Sequence, residues 1–202
     1  MKTNALKSYV RSQGSMALIE HQERQWLLSG TAAYPLDGWP HTSGAEMMTL
    51  MDIPKDEQAT YPMREYYDGE APEALLRTLA DTDPGERQAT EARVRITAEG
   101  KSWVPLYTPA GMCFVDAEAL KPLADVKKEM TLHYREREGQ AGTVAVKVGM
   151  LVVGVIFCQS GFITDDVEEA LLDVRLGAEK LATARRQREA NEDRQLRMEG
   201  LG

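Results

Sequence analysis

The chain has 202 residues, a formal net charge of −8, and 43% hydrophobic, 28% charged and 6% aromatic residues. That length accommodates one sizeable domain with a buried core, alone or with an appendage. The negative net charge argues against a protein whose whole surface binds nucleic acid or anionic lipid, because neutralising phosphates requires an excess of Lys and Arg. A local basic face remains compatible with it.

The N-terminal residues predict a short helix followed by strands. Segment 3–12 forms a helix with one apolar face, made by Leu6, Tyr9 and Val10. Two strands are predicted next, at 16–20 and 25–35, separated by the polar sequence HQER. The dipeptide Asp37-Gly38 and then Pro40 break the chain.

A capped helix and a polar segment follow. The helix at 43–51 begins at Ser43, and Glu46 stands three residues later, which is the spacing of a capping box. Residues 54–91 are polar, acidic and interrupted by Pro and Gly, so we expect a variable loop or insertion there. One amphipathic helix is predicted within it, at 71–80.

The second half of the chain reads mainly as strands. Residues 92–97 alternate apolar and polar side chains as a half-buried strand does. A hairpin is predicted from 103–107 and 112–115, around a Pro- and Gly-containing turn. Pro105 places the first of these strands at a sheet edge, because proline has no N–H to donate.

A short helix and three core strands complete the predicted domain, 1–160. Asp116 is a good helix cap, and Pro122 limits the helix that follows it. The three strands are joined by Gly-containing turns and lie at 130–137, 143–147 and 151–158.

The C-terminal segment 161–202 predicts a long amphipathic helix with a frayed, charged tail. Thr164 is a suitable N-cap, and the acidic residues after it complement the helix dipole. Apolar residues recur at helical spacing at Ile163, Val167, Ala170, Leu171, Val174, Ala178 and Leu181. We expect this stripe to bury against the sheet or a second copy, so self-association is predicted.

The sequence contains no recognisable signal peptide or membrane span, and its two cysteines lie in apolar segments. These features predict a cytoplasmic protein without membrane contact. Residues 1–15 contain no apolar run of signal-peptide length. The longest apolar stretch, 148–158, is too short to span a membrane and reads as buried strand. Cys113 and Cys158 lie in apolar sequence, which favours buried thiols over a bridge or a nucleophile.

Catalytic and metal-binding motifs are not apparent in the sequence. The three histidines, His21, His41 and His133, have no partner at metal-ligand spacing, so neither a metal nor a cofactor is predicted. Phosphate-binding loops and nucleophile elbows are missing as well. We therefore predict no catalytic residue and no enzymatic activity. The rival interpretation is a hydrolase that uses Asp116, Glu118 or His133 in a cleft.

Interaction features are clearer. Arg185, Arg186 and Arg188 form the densest basic run, either a solvated helix face with ion pairs or a site for phosphate or a partner. Trp39 lies in a turn, where an exposed aromatic side chain can anchor a protein partner.

The order of elements over 112–158 resembles one domain of a bacterial DNA sliding clamp. The resemblance is carried by 114–123 (FVDAEALKPL), 130–134 (MTLHY), 143–147 (TVAVK) and 151–157 (LVVGVIF). The first helix and its two strands look like a degenerate first copy. In that family the helices line a ring and carry positive charge toward DNA, although the whole protein is acidic. The matching basic positions are Lys2, Lys7, Arg11, Lys121, Lys127 and Lys128.

We therefore expect an α+β fold, built on an antiparallel sheet with short helices and the long C-terminal helix. The predicted function is a non-enzymatic binding protein that resembles proteins of bacteriophages and prophages and acts as a clamp-like, DNA-associated homo-oligomer. Its DNA-binding candidates are Lys7, Arg11, Lys121, Lys127 and Lys128. The alternatives are the hydrolase and an adaptor or inhibitor that binds a host protein through Trp39 and the arginine run.

Overall fold

The structure, a computed structural model, divides into two units, Met1–Ser160 and Gly161–Gly202. It describes residues 1–98, 100–137, 140–159, 172–173, 176–177 and 179–188. Within the described residues, none of the helices combines the length and the apolar character needed to cross a membrane.

The N-terminal part forms one helix and three antiparallel strands: α1 (Thr3–Gln13), β1 (Met16–His21), β2 (Arg24–Ser29) and β3 (Ala32–Pro35). The predicted helix is confirmed, and its apolar face is buried. The single strand predicted at 25–35 is wrong, because the chain turns between β2 and β3. At the turn Gly30 has a φ of 51°, and the Gln13 side chain occupies the place of a Cβ. Only glycine satisfies both conditions without strain.

The middle of the chain, residues 44–91, contains more helix and strand than its polar composition predicts. It contains α2 (Gly44–Leu50), α3 (Lys55–Gln58), β4 (Met63–Tyr66), α4 (Glu73–Leu79) and β5 (Arg87–Glu91). The capping box of Ser43 and Glu46 is present at α2. Two strands lie within the segment predicted to be mostly loop: β4 pairs with β1, and β5 pairs with the later strand Met130–Arg137. Both have mostly polar side chains, so their pairing partners, and not hydrophobic alternation, place them in the sheet.

The second half forms most of the predicted strands: β6 (Ile96–Ala98), β7 (Lys101–Thr108), β8 (Gly111–Asp116), α5 (Ala117–Leu120), a 3-10 turn (Lys121–Leu123), β9 (Met130–Arg137), β10 (Gln140–Val148) and β11 (Leu151–Phe157). The strand predicted at 92–97 is wrong for its first four residues. The edge position predicted for Pro105 is also wrong, because β7 has neighbours on both sides. Pro105 lies opposite the interruption between β5 and β6, where its carbonyl accepts the Ala92 N–H at 2.9 Å.

The 11 strands that the structure describes in the first unit belong to one sheet, in the order β4-β1-β2-β3-β11-β10-β9-β5-β7-β6, with β8 on the other side of β7. Among these described strands, only β1 and β4 pair in parallel. The sheet also curls back on itself, because Phe114 of β8 forms an isolated bridge with Gln159, just beyond β11. The predicted mixed fold with a mostly antiparallel sheet and short helices is thus confirmed.

The sheet contains two similar halves. Helix α1 precedes the meander β1-β2-β3, and α5 precedes the meander β9-β10-β11. Strands β3 and β11 join the halves by antiparallel pairing. One face of the sheet packs against α1, α2 and α5 in the larger core, and the opposite face packs against α4 in a smaller core around Trp26.

The C-terminal helix is described only in part. Residues 179–188 are helical. Most of the apolar stripe predicted from Ile163 lies outside the described residues, so the predicted long amphipathic helix is not supported.

Candidate nucleic-acid interface

Helix α1 and the segment α5 to Leu123 lie side by side on one face of the sheet. The Lys2 N–H donates to the Pro122 carbonyl at 2.8 Å, which joins the start of one helix to the end of the other. The buried Tyr34 hydroxyl of β3 donates to the Ala119 carbonyl at 2.7 Å and holds α5 on the sheet. Burial raises the pKa of Tyr34 well above its ordinary value, so this hydroxyl stays protonated and keeps donating.

The predicted DNA-binding residues belong to this helix pair and to the turn that follows it before β9. We use the name helix-pair face for this set, which comprises Lys2, Lys7, Arg11, Glu118, Lys121, Lys127 and Lys128. Two of its lysines are neutralised by neighbouring carboxylates: Lys7 Nζ lies 2.9 Å from Asp52 Oδ2, and Lys121 Nζ lies 2.6 Å from Glu118 Oε1. The N-terminal amine is paired likewise, at 2.7 Å from Asp125 Oδ2.

Three of the five predicted DNA-binding residues remain available as cations. Arg11, Lys127 and Lys128 are exposed, and no salt bridge joins them to other residues that the structure describes. Lys121 and Lys127 also line a cavity of about 260 Å³, together with Arg95. Arg95 was not predicted, and it forms an ion pair at 2.8 Å with Glu91, which also lines the cavity. The helix-pair face is therefore locally basic, with a few counter-charges built in.

The predicted partner-binding residues occupy other positions. Trp39 is half-buried and packs against the larger core, so it is less exposed than its turn position predicts. Arg185, Arg186 and Arg188 lie on the helical segment 179–188 of the second unit.

The residues of the rival hydrolase interpretation do not converge. Asp116 is buried and accepts the Glu118 N–H at 2.8 Å, as a helix cap does. It lies on the α1 side of the sheet, where it adds to the burial that raises the pKa of Tyr9. His133 projects to the opposite face, with Nδ1 3.8 Å from Glu86 Oε1. Glu118 is exposed and paired with Lys121. These three side chains do not form a common cleft.

A buried charge cluster on the α4 face escaped prediction from sequence. Arg135 and Lys147 are 1% and 3% exposed, and both donate to Glu86: Arg135 Nη2 at 2.8 Å, and Lys147 through a short contact. Arg135 Nη1 also donates to the carbonyls of Thr78 and Ala80. The cluster ties the loop after α4 to the sheet. Its only signal in the sequence is cationic residues at alternate strand positions, which is equally typical of an exposed strand face.

The environment of this cluster shifts two pKa values. Burial by itself raises the pKa of Glu86, but the hydrogen bonds from Lys147 and Arg135 outweigh it, and the net pKa is lowered. Burial lowers the pKa of His133, with further lowering by Lys147 and Arg135, against the opposing charge of Glu86. Among the described residues, no group of three or more His, Cys, Asp or Glu side chains is arranged to hold a metal ion.

Comparisons with protein-family models, with curated proteins and with solved structures find no match for this chain. The function is therefore inferred from its own residues and geometry.

Proposed function

We propose that the protein is a non-enzymatic, clamp-like factor that associates with the DNA backbone through the helix-pair face. The observation that carries this proposal is the repeated helix-and-meander unit, α1-β1-β2-β3 and α5-β9-β10-β11, with both helices on the same sheet face. The resemblance to a sliding-clamp domain implies this arrangement of paired helices facing DNA. Four cations of the helix-pair face, Lys2, Arg11, Lys127 and Lys128, are exposed and form no salt bridge with a described residue.

The mechanism is electrostatic and independent of base sequence. Lys and Arg side chains that neutralise phosphates release condensed counterions, and the logarithm of the affinity then falls by about 0.9 per phosphate contact for each tenfold rise in salt. Four unpaired cations per chain provide a weak contact against a net charge of −8. Several copies arranged around one duplex add their contacts, which is why the proposal includes homo-oligomerisation.

The test measures binding of a fluorescent 30-base-pair duplex by anisotropy at about 50 mM and about 200 mM salt, concentrations at which backbone contacts differ strongly in strength. We expect the wild type to bind at low salt and to lose affinity steeply at high salt. Arg11→Glu/Lys127→Glu/Lys128→Glu reverses three of the four unpaired cations, leaves only Lys2, and is expected to abolish binding. Lys121 is left unchanged because Glu118 already neutralises it.

The matched control reverses three exposed cations outside the helix-pair face, Arg64→Glu/Arg87→Glu/Lys101→Glu, and so changes the net charge equally. It is expected to retain most of the affinity. A wild type that does not bind, a helix-pair variant that still binds, or a control that loses binding equally contradicts the proposal.

A further inference from the structure

A second candidate site lies on the α4 face of the sheet, away from the helix-pair face. A cavity of about 410 Å³ opens between α4 and the adjoining ends of β9 and β10. Three arginines, Arg77, Arg135 and Arg137, line it together with Thr143 and the two carboxylates Asp83 and Glu136. This volume is within the range of small-molecule sites.

The cavity contains a polar group that the protein itself leaves unsatisfied. Thr143 has no exposed surface, and its hydroxyl has no hydrogen-bond partner in the part of the chain that the structure describes. Thr143 pairs with Arg135 on one side and with Phe157 on the other, so its side chain shares their face of the sheet. A buried hydroxyl without a hydrogen-bond partner costs free energy, and a ligand oxygen that accepts a hydrogen bond from it removes that cost.

The arginines around this hydroxyl differ in their freedom to bind. Arg135 is held by Glu86 and two backbone carbonyls, so it forms a fixed wall. Arg137 lies two residues further along β9, and its guanidinium sits 5.7 Å from the centre of the Phe157 ring. It has no salt bridge with a described residue. Arg77 forms only an exposed pair with Glu73. Arg77 and Arg137 can therefore both turn toward a bound anion.

We propose that this cavity binds the phosphate group of a small phosphorylated molecule. The Thr143 hydroxyl donates one hydrogen bond, and the guanidinium groups of Arg137 and Arg77 provide charge-assisted, two-pronged contacts. Arg135 lines the cavity and keeps its hydrogen bonds to Glu86, so it does not bind the phosphate itself. The site is independent of the proposed DNA association, because it lies on the opposite face of the sheet.

The first test uses inorganic phosphate as the probe, with calorimetric titration of the full chain at constant ionic strength. We expect binding of one phosphate per chain, and affinity lower by roughly tenfold or more in Arg137→Gln, because a charge-assisted hydrogen-bonding partner is lost. Arg87→Gln, an exposed arginine of β5, is the control and should bind like the wild type. Absence of binding, or equal loss in both variants, overturns the proposal.

Thr143→Val separates the ligand role from a folding role. Removing an unpaired buried hydroxyl should leave the melting temperature in phosphate-free buffer unchanged or higher, while the increase in melting temperature caused by phosphate is lost. A variant that still responds to phosphate like the wild type overturns the assignment of Thr143. Acetate in place of phosphate distinguishes the anions, and binding of acetate alone overturns the assignment to phosphate.

Competition with DNA distinguishes a small molecule from the duplex backbone as the source of the phosphate. Saturating phosphate is expected to leave duplex binding unchanged beyond the effect of ionic strength. If Thr143→Val or Arg137→Gln weakens duplex binding, the cavity binds the DNA backbone and the small-molecule assignment is wrong.

Discussion

Glu86 offsets the free-energy cost of burying the cations Arg135 and Lys147 in the sheet. It accepts hydrogen bonds from both, and its own side chain is 17% exposed. Removing a charged group from water is expensive, and the cost is offset only when its partner and hydrogen bonds are complete. The cluster therefore contributes little in comparison with an apolar core, but it is sensitive to the loss of one member.

Glu86→Gln is expected to lower the free energy of unfolding by about 3–5 kcal/mol, because it leaves Arg135 and Lys147 buried without their counter-charge. Urea denaturation measures the change. Glu57→Gln alters an exposed carboxylate of α3 and should change stability by no more than about 0.5 kcal/mol. Equal losses in the two variants would show that Glu86 has no special role.

The same cluster predicts lower stability in acid. The pKa of His133 is lowered in the folded state, so the unfolded chain takes up a proton first as the pH falls below about 6.5. The pKa of Glu86 is also lowered, so its contribution is present above its unfolded pKa of about 4.3 and is lost as the pH falls through the folded value. Both groups therefore make stability decrease toward low pH.

Urea midpoints measured from pH 8 to about pH 3 test this expectation. The midpoint should be level near neutrality, decline below about pH 6.5, and decline more steeply below about pH 4.3. His133→Asn is expected to remove the first part of the decline only. An unchanged profile in that variant would contradict the assignment.

At the scale of elements, the β1–β2 hairpin contains two adjacent non-glycine residues in the left-handed region. Gln22 and Glu23 form its two-residue turn, and their φ angles are 51° and 60°. His21 and Arg24 pair on either side of them. Two consecutive left-handed residues are typical of a turn that matches strand twist, and Asn-Gly adopts it with the least strain. The strands, held by β3 and β4 on either side, impose this geometry on a poorly suited sequence.

Gln22→Asn/Glu23→Gly is expected to raise the free energy of unfolding by about 1 kcal/mol, since it relieves left-handed strain without removing a core contact. The comparison is Gly149→Ala in the β10–β11 turn, where φ is 61° and a Cβ would meet no neighbour within 4 Å. That change adds strain alone and should lower stability by about 1 kcal/mol. Thermal and urea denaturation measure both, and shifts of the same sign would contradict this account.

At the scale of the whole molecule, the charge distribution matters more than the total. The chain carries −8, yet Arg11, Lys127 and Lys128 are exposed and form no salt bridge with a described residue. The field of such charges is short-ranged, because at physiological salt charges are screened within about 8 Å. The proposed DNA association therefore needs several copies acting together at that salt.

The absolute mass in solution tests this requirement. Light scattering on a sizing column, with and without a duplex, is expected to show a closed oligomer of several copies that binds DNA. A monomer or a simple dimer that ignores DNA would rule out the clamp-like function. Capture of protein partners would then be the next step for the adaptor alternative.

The sequence by itself determined the elements whose signals are local. The apolar face of α1, the Ser43–Glu46 cap and the three strands from Met130 to Phe157 each follow from periodicity or capping within a few residues. Burial of Cys113 and Cys158 follows from their apolar surroundings. Their hydrogen bond and burial together raise the pKa of Cys158, as suits core thiols. These features need no knowledge of distant partners.

Only the tertiary structure decided which residues meet across the chain. The polar strands β4 and β5 exist because β1 and β9 offer them backbone partners. Glu86 meets Arg135 and Lys147 across 49 and 61 residues, and Asp52 neutralises Lys7 across 45. Hydrophobic periodicity reports which face of an element is buried, but it carries no information about the pairing of charges between elements. The sequence could therefore predict the basic residues of the candidate site, but not which of them remain unpaired.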